Sequence, residues 1–458
     1  MSRLPVTATG ILCTLLAACG GSEDGASAGG CGNTAKMRFV RDTAREWYLF
    51  DDLLPANVDF ADYADATELL DALTAEARAQ GKDRYFSYLT TRQADDSILQ
   101  EGEFIGFGLR TRIAGDRLWL TDVFEDSPAE EAGLARGTEI IAIDSGSGFV
   151  PIATILAQDP ELEEAFGPAV EGTERGLRFV PLGGSATEAV FTKRVVTITP
   201  LAQGGPAILA LPANPAVPVG YLSLRAFIST AETPLRDAYA EFRAQGIDYF
   251  IVDLRYNGGG LVSIAELIGD LNGAARDDSD LYFEMRFNDR KSSGNNVRRR
   301  FDPQPQSVAP VRIAFITTGL SASASELVVN SLAPWIEVAI VGDDTFGKPV
   351  GQSAFDLSGC DTRLRLVTFQ FTNADGQGGY YEGLASLLPF ACRAEDDLAY
   401  PPGAPAEPST AEALAWLGTG ACTDTLTAWT GKLREELAWR VPRLRKPASA
   451  QVYLPGLY

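Results

Sequence analysis

An apolar run from Tyr249 to Leu254 ends in a polar turn and three consecutive glycines, and an apolar helical pattern follows it. A run of this length without polar alternation is typical of a strand that is buried on both faces of a sheet. The same order returns where a strand predicted at 311–317 leads through a serine-rich turn into a helix predicted at 325–332. This repetition predicts an α/β layered core.

The chain of 458 residues contains no histidine, which limits the chemistry that such a core can support. Catalytic pairs that depend on imidazole are excluded, as are metal sites with histidine ligands. A hydroxyl nucleophile still needs a base, and a lysine amine is a known substitute. Two segments carry candidates for such a pair: Ser321-Ala322-Ser323-Ala324-Ser325-Glu326 and Gly347-Lys348-Pro349-Val350-Gly351-Gln352.

The charge balance limits the class of partner. With 39 basic and 61 acidic residues, the formal net charge is −22. Such acidity argues against binding to nucleic acid and against adsorption to an anionic membrane surface.

The first residues predict export. A single arginine and a short apolar stretch are typical of a secretory signal over residues 1–18. Leu16-Ala17-Ala18-Cys19 resembles the bacterial lipoprotein cleavage box, which implies a lipid anchor on Cys19 and, because no acidic residue follows directly, the periplasmic face of the outer membrane. The alternative is ordinary signal cleavage that leaves Cys19 as a plain thiol.

Four cysteines remain beyond the signal and Cys19, namely Cys31, Cys360, Cys392 and Cys422. In an exported chain they predict two disulfides, and the sequence leaves all three possible pairings open. A metal site on these cysteines is only a weak alternative, because no pair has close Cys-x-x-Cys spacing.

Apolar spacing divides the mature chain into parts. A Gly- and Ser-rich tether is predicted at 19–34, a helical region at 35–100, a β-rich domain at 101–200, and the α/β core with a C-terminal extension at 201–458.

The β-rich domain carries a specific motif. Gly106-Phe107-Gly108-Leu109 precedes a predicted hairpin, and a short capped helix is predicted at 127–133. This combination resembles a PDZ domain of bacterial proteases. The resemblance implies that backbone N–H groups of the four motif residues capture the C-terminal carboxylate of a peptide, which adds as a strand. The alternative is that the glycines only shape the start of a strand.

Ser323 is predicted to lie where a turn enters a helix. Together with Glu326 it fits the helix capping box, which is a purely structural interpretation. A helix N-terminus also favours developing negative charge, so the same position suits a nucleophile. The three glycines at 258–260 allow close approach to a substrate, as an oxyanion hole requires, although a tight turn is the alternative.

Lys348 completes a Gly-x-x-x-x-Gly-Lys pattern that is typical of nucleotide-binding loops. Pro349 stands where such loops carry the Ser or Thr that binds Mg²⁺, and it removes a backbone N–H, so we reject that interpretation. Lys348 could act as a base if burial lowered its pKa, whereas a plain surface lysine is the alternative.

The order and spacing of these motifs resemble the carboxyl-terminal processing proteases, which are serine endopeptidases with a Ser-Lys dyad. The resemblance implies an α/β crotonase-like protease core with a PDZ domain and an N-terminal helical segment. The implied site residues are Ser323 as nucleophile, Lys348 as base, Gln352 as the residue that orients the lysine, and the N–H groups of Gly259 and Ala324 as oxyanion donors, with Gly258 as an alternative to Gly259. Pro349 departs from the glycine that is usual in this family.

The resemblance further implies cleavage of exported polypeptides near their C-terminus, without a metal or organic cofactor. The expected partners are a polypeptide substrate and, through the lipid anchor alone, a membrane. Two alternatives remain: a catalytically inactive PDZ-type peptide-binding lipoprotein, and a carrier of a small ligand on the crotonase-like core.

Overall fold

The computed structural model describes residues 30–202, 204–426 and 449–458. The predicted signal, most of the predicted tether and the lipid-attachment prediction at Cys19 lie outside the described residues. In the part of the chain that is described, no helix has both the length and the apolar character needed to cross a bilayer.

A helical layer follows the tether. Its elements are α1 (Asn33–Trp47), α2 (Ala66–Leu73), α3 (Ala75–Ala79), β1 (Tyr88–Thr90) and α4 (Arg92–Asp96). Met37, Val40 and Ala44 recur at helical spacing and form the buried face of α1. This face packs in one apolar cluster with Leu364 and Leu366. The helical layer therefore supports the strands that carry the lysine segment, which comprises residues 347–352.

A small β domain comes next. Its elements are β2 (Glu103–Gly106), β3 (Leu109–Ala114), β4 (Arg117–Val123), α5 (Pro128–Glu131), β5 (Glu139–Asp144), β6 (Phe149–Pro151), α6 (Ile152–Gln158), α7 (Glu163–Phe166), β7 (Glu174–Val180), β8 (Thr187–Thr192) and β9 (Arg194–Thr197). The sheet has the order β3-β4-β5-β7-β8, with β6 beside β5, and β2 pairs with β9. Phe107, Phe166 and Phe191 contribute to an apolar core that belongs to this domain.

The remaining elements form the core of the protein. They are β10 (Ala207–Leu211), β11 (Asn214–Ser223), α8 (Glu232–Ala244), β12 (Tyr249–Asp253), α9 (Val262–Leu271), β13 (Leu281–Phe287), α10 (Asp289–Asn295), β14 (Val297–Arg300), β15 (Arg312–Thr317), α11 (Ala324–Leu332), β16 (Glu337–Gly342), β17 (Val350–Asp356), β18 (Arg363–Asn373), β19 (Ala391–Arg393), α12 (Pro408–Thr419) and a last helical turn, Ser449–Tyr453.

The central sheet has the order β10-β11-β12-β15-β16-β19. Its pairs from β11 to β19 are parallel, and only β10 is antiparallel. Phe250 and Val252 pack with the cluster that includes α8, α9 and α11, whereas Ile251 packs with α12 on the opposite face. The apolar run at β12 is therefore buried on both sides, as its sequence predicts.

A second sheet has the order β1-β18-β13-β14, and β17 pairs with β18. The polar stretch 277–306 forms the antiparallel pair β13 and β14, joined through α10. Because β17 begins two residues after Lys348, this sheet fixes the position of the lysine segment.

Two disulfides join Cys31 to Cys360 and Cys392 to Cys422. The structure thus selects one of the three pairings that the sequence leaves open. Glu412 lies beside Cys392 and Cys422, but both sulfurs of this potential metal-ligand cluster belong to the disulfide.

Candidate active site

Ser323 lies at the N-terminus of α11, directly after the loop that leaves β15. Its backbone angles are φ 58° and ψ −112°, a region that residues with a Cβ rarely adopt. Such backbone strain persists only where the surrounding structure enforces it, and it clusters at functional sites. The conformation singles out Ser323 among the three serines of this turn.

The two neighbouring serines have structural roles. The Ser321 hydroxyl donates to the Leu254 carbonyl at 2.7 Å, and the Ser325 hydroxyl donates to the Asn257 carbonyl at 3.0 Å. The Ala322 N–H also donates to the Asn257 carbonyl, at 3.0 Å. These bonds hold the serine turn (residues 321–326) against the glycine turn (residues 254–260), which explains why the two motifs meet.

Glu326 connects the serine turn to the lysine segment. Its fully buried carboxylate accepts the N–H of Ser323 at 2.9 Å, of Gly347 at 2.7 Å and of Lys348 at 2.8 Å. Burial raises the pKa of this carboxyl group. The capping-box interpretation identified the contact with Ser323, but the contacts with the lysine segment depend on the tertiary fold.

The Lys348 amine is buried, and only 6% of this residue is exposed. Burial lowers its pKa to about 8, although Asp83 and Glu326 act in the opposite direction. Nζ donates to Gln352 Oε1 at 2.9 Å and lies 5.2 Å from the centre of the Phe86 ring. A base with a pKa near neutrality carries a useful fraction of free amine at physiological pH.

Gln352 fixes the direction of the lysine. Its Nε2 donates a short hydrogen bond to the Phe86 carbonyl, which leaves Oε1 pointed at Lys348 Nζ. Nothing in the local sequence around Phe86 indicates this contact, because it depends on packing of the helical layer.

A cavity of about 150 Å³ opens at this site. Ser323, Ala324, Gln352 and Tyr453 are among its lining residues. Ser323 and Lys348 are not joined by a hydrogen bond in the described structure. Two members of the lysine segment, Gly351 and Gln352, line the same cavity as Ser323. The two predicted catalytic groups thus lie on neighbouring segments but are not engaged.

The glycine turn borders the N-terminus of α11. A Cβ added to Gly259 would come within 2.9 Å of the Ala324 nitrogen, so the two main chains lie side by side. Gly259 donates its N–H to Asn257 Oδ1 at 2.9 Å, and Gly258 donates its N–H to the Tyr453 carbonyl at 2.9 Å. The predicted role of Gly259 as an oxyanion donor would require the Gly259 N–H to leave Asn257. The Gly258 N–H, in contrast, is bonded to Tyr453, which lines the cavity.

Comparison with known proteins identifies the family. The model described as "Peptidase family S41" matches residues 218–385, and the model described as "Peptidase S41 N-terminal domain" matches residues 36–88. The chain belongs to peptidase family S41. The first match contains the glycine turn, the serine turn and the lysine segment.

Curated relatives are consistent with this assignment. A carboxyl-terminal-processing protease of Synechocystis sp. is 28% identical over 57% of this chain and 57% of its own length. The carboxy-terminal processing protease CtpB of Bacillus subtilis is 24% identical over 72% of this chain and 64% of its own length. The chain therefore spans between 57% and 64% of the length of these two curated relatives.

A solved structure of an S41 protein from Bacteroides fragilis has the same fold. It matches with a TM-score of 0.64 at 22% identity, over 83% of this chain and 97% of its own length. The predicted S41-type fold with a helical N-terminal region is thus confirmed.

The predicted peptide-binding residues of this S41 protein lie at one end of the small β domain. The N–H groups of Phe107, Gly108 and Leu109 converge on the main-chain oxygen of Tyr458, at 3.1, 3.2 and 3.3 Å. A Cβ added to Gly106 would lie 3.1 Å from the Tyr458 carbonyl carbon. All four predicted residues therefore border the main chain of Tyr458.

Proposed function

We propose that this protein is a serine endopeptidase that uses Ser323 as nucleophile and Lys348 as base. The observation that carries this proposal is the buried amine of Lys348, whose pKa is lowered to about 8 and whose direction is set by Gln352 at the wall of the Ser323 cavity. Burying a charged amine is costly, so burial favours the neutral form of the lysine, and a neutral lysine is a competent base for a hydroxyl.

The proposed reaction begins when neutral Lys348 takes the proton of the Ser323 hydroxyl and the oxygen attacks a peptide carbonyl. The N–H of Ala324, at the free N-terminus of α11, and an N–H of the glycine turn would stabilise the oxyanion. Gly258 is the better candidate for the second donor, because its N–H is bonded to the carbonyl of Tyr453, which lines the cavity, whereas the Gly259 N–H is bonded to Asn257 within its own turn. Lys348 then protonates the leaving amine, and water releases the acyl group from Ser323.

The proposed substrate is an exported polypeptide held by its C-terminal end. Three N–H groups that converge on one oxygen suit a terminal carboxylate, and we infer a PDZ-type domain on a crotonase-like core from this feature. Two disulfides support an oxidising compartment. Attachment through a lipid on Cys19, on the periplasmic face of the outer membrane, is part of the same proposal.

A catalytically inactive peptide-binding lipoprotein is the second candidate. It is favoured by one observation, namely that no hydrogen bond joins Ser323 to Lys348 in the described structure. The carrier of a small ligand, which the sequence left open, lacks a comparable supporting contact.

The pH dependence of cleavage tests the peptidase against this alternative. With an unfolded polypeptide as substrate, kcat/KM should rise with pH and level off above about 8, because only the neutral amine of Lys348 accepts a proton. Below that value the rate should fall about tenfold for each pH unit. The measurement is the appearance of new peptide ends by mass spectrometry, with the rate of Ser323→Ala subtracted.

Gln352→Glu is the matched variant. It keeps the size of the side chain but places a carboxylate 2.9 Å from Lys348 Nζ, so it should raise the pKa of the lysine. The rising limb should move up by about one to three pH units. A pH profile that is identical in both proteins would contradict the assignment of Lys348 as base.

A further inference from the structure

The last residues of the sequence occupy the groove of the small β domain. Tyr458 receives the three converging N–H bonds and donates its own N–H to the Leu109 carbonyl at 2.9 Å. Two residues earlier, the Gly456 carbonyl accepts the Thr111 N–H at 2.8 Å. Leu457 lies opposite Arg110 in an antiparallel bridge. Residues 456–458 therefore add to the edge of β3 as a peptide ligand would.

The side chain of Tyr458 fills a specific pocket. Its ring stacks on Phe166 with centroids 4.1 Å apart, and its hydroxyl donates to the Glu161 carbonyl at 2.7 Å. Only 6% of Tyr458 is exposed. The pocket offers an apolar contact to the ring and a hydrogen-bond acceptor to the hydroxyl, and together these favour a tyrosine side chain.

The same segment also reaches the catalytic cleft. The Tyr453 carbonyl accepts the N–H of Gly258 in the glycine turn at 2.9 Å, and Tyr453 lines the cavity that contains Ser323. The approach is so close that a Cβ on Gly258 would lie 2.5 Å from the Val452 carbonyl oxygen. One short stretch of chain thus contacts the groove through Tyr458 and the glycine turn through Tyr453.

We propose that residues 450–458 are a built-in ligand that closes the peptide groove and the catalytic cleft together, and that this groove selects polypeptides ending in tyrosine. The closure of the cleft rests on the proposed peptidase function, whereas the occupancy of the groove does not. A polypeptide that enters must displace the segment from the N–H groups of Phe107, Gly108 and Leu109, because these donors bind one oxygen at a time.

The helical conformation of the segment explains why it would block the site and resist cleavage. Leu454 donates its N–H to the Ala450 carbonyl at 2.8 Å, so the peptide bond after Tyr453 belongs to a helical turn. Leu454 and Leu457 are buried in the main apolar cluster, which stabilises that turn against unwinding. The Tyr453 carbonyl then holds the Gly258 N–H that we propose as an oxyanion donor.

Gly456→Ala tests the closure. Gly456 has φ +79°, and a Cβ there would lie 2.3 Å from the Thr111 carbonyl oxygen, so alanine is incompatible with the docked segment. Gly133→Ala is the matched control, because Gly133 has the same φ of +79° but no atom within 4 Å of the added Cβ. The two variants share the backbone strain and differ in the collision with the groove.

The first measurement is binding of the labelled peptide Val-Tyr-Leu-Pro-Gly-Leu-Tyr, with a free C-terminal carboxylate, by fluorescence anisotropy. All proteins carry Ser323→Ala, so that the peptide is not consumed. Freeing the groove should tighten apparent binding by about tenfold or more in Gly456→Ala, whereas Gly133→Ala should bind like the parent. Equal binding to all three proteins would overturn the proposal.

The peptide itself tests selection. Replacing its last tyrosine with phenylalanine removes the bond to the Glu161 carbonyl and should weaken binding about two- to tenfold. Adding two glycines after the last tyrosine moves the terminal carboxylate away from the three N–H donors and should weaken binding further, by about tenfold or more. If the extended and phenylalanine peptides bind as tightly as the original, the groove does not select a terminal tyrosine.

The second measurement is cleavage of an unfolded polypeptide with Ser323 intact. Gly456→Ala should cleave about tenfold faster or more than the wild type and Gly133→Ala. Tighter peptide binding without cleavage in any protein would support the closed groove and refute the peptidase. Cleavage by all three proteins at one rate would refute the closure and leave the peptidase standing.

Discussion

Replacing Lys348 with methionine is expected to slow peptide-bond cleavage by about a hundredfold to ten-thousandfold. Methionine fills a similar volume to the aliphatic part of lysine but has no basic nitrogen. Because the Lys348 amine is already desolvated and its pKa is lowered to about 8, losing the charge should not lower the free energy of unfolding by much. Ser323→Ala should reduce the rate at least as strongly.

Lys193→Met is the informative control. Burial lowers the pKa of Lys193 to about 8 as well, but its Nζ donates to the carbonyls of Gly167 at 2.7 Å and Pro168 at 3.0 Å in the small β domain. This variant should lose stability and keep kcat. The rates are measured in the wild-type and Gly456→Ala backgrounds, so that a closed groove does not conceal a difference. Normal cleavage by Lys348→Met would exclude the dyad.

The second large effect is expected at Arg255, which lies in the glycine-turn motif and does not face the cavity. Its guanidinium contacts Asp253 at 2.7 Å, and Asp396 and Glu407 at 2.9 Å each. All four side chains are at least 94% buried. Arg255→Met would remove a cation that three buried carboxylates share, and we expect a loss of roughly 3 to 5 kcal/mol in the free energy of unfolding.

Urea denaturation measures this loss, with Arg286→Met as the control. Arg286 contacts Glu284 at the same 2.7 Å, but half of the Arg286 side chain is exposed, so its removal should cost at most about 1 kcal/mol. Equal losses in the two variants would show that burial does not set the cost.

The Arg255→Met deficit should also depend on pH. Although burial alone would raise the pKa of Asp396, the charges of Arg136, Arg255 and Arg112 hold it well below its usual range. A depressed carboxyl pKa contributes stability above the unfolded pKa, and this contribution disappears as the pH falls through the folded pKa. The difference between wild type and variant should therefore be full near neutral pH and shrink below about pH 4.

Local patterns in the sequence predicted the core elements well. The strand expected at 311–317 is Arg312–Thr317, and the helix expected at 325–332 is Ala324–Leu332. These predictions succeed because apolar runs, helix caps and glycine turns act within a few residues of one another. The order of the glycine turn, serine turn and lysine segment also sufficed to identify the family.

Contacts between distant segments were beyond local patterns. Glu326 suggested a helix cap, but its bonds to Gly347 and Lys348 arise because the loops after neighbouring strands meet. Phe86, which fixes Gln352, comes from the helical layer and has no sequence signal of its own. The choice between Gly258 and Gly259 as donor depends on where each N–H points, which residue type does not encode.

The sequence by itself determined the strand and helix order, the absence of imidazole chemistry and the candidate pair Ser323 and Lys348, because these follow from residue type and short-range spacing. Only the tertiary structure decided the pairing of Cys31 with Cys360, the burial that lowers the pKa of Lys348 and the docking of residues 450–458 into the groove. Each of these depends on which surfaces pack together, and packing joins residues that are hundreds of positions apart.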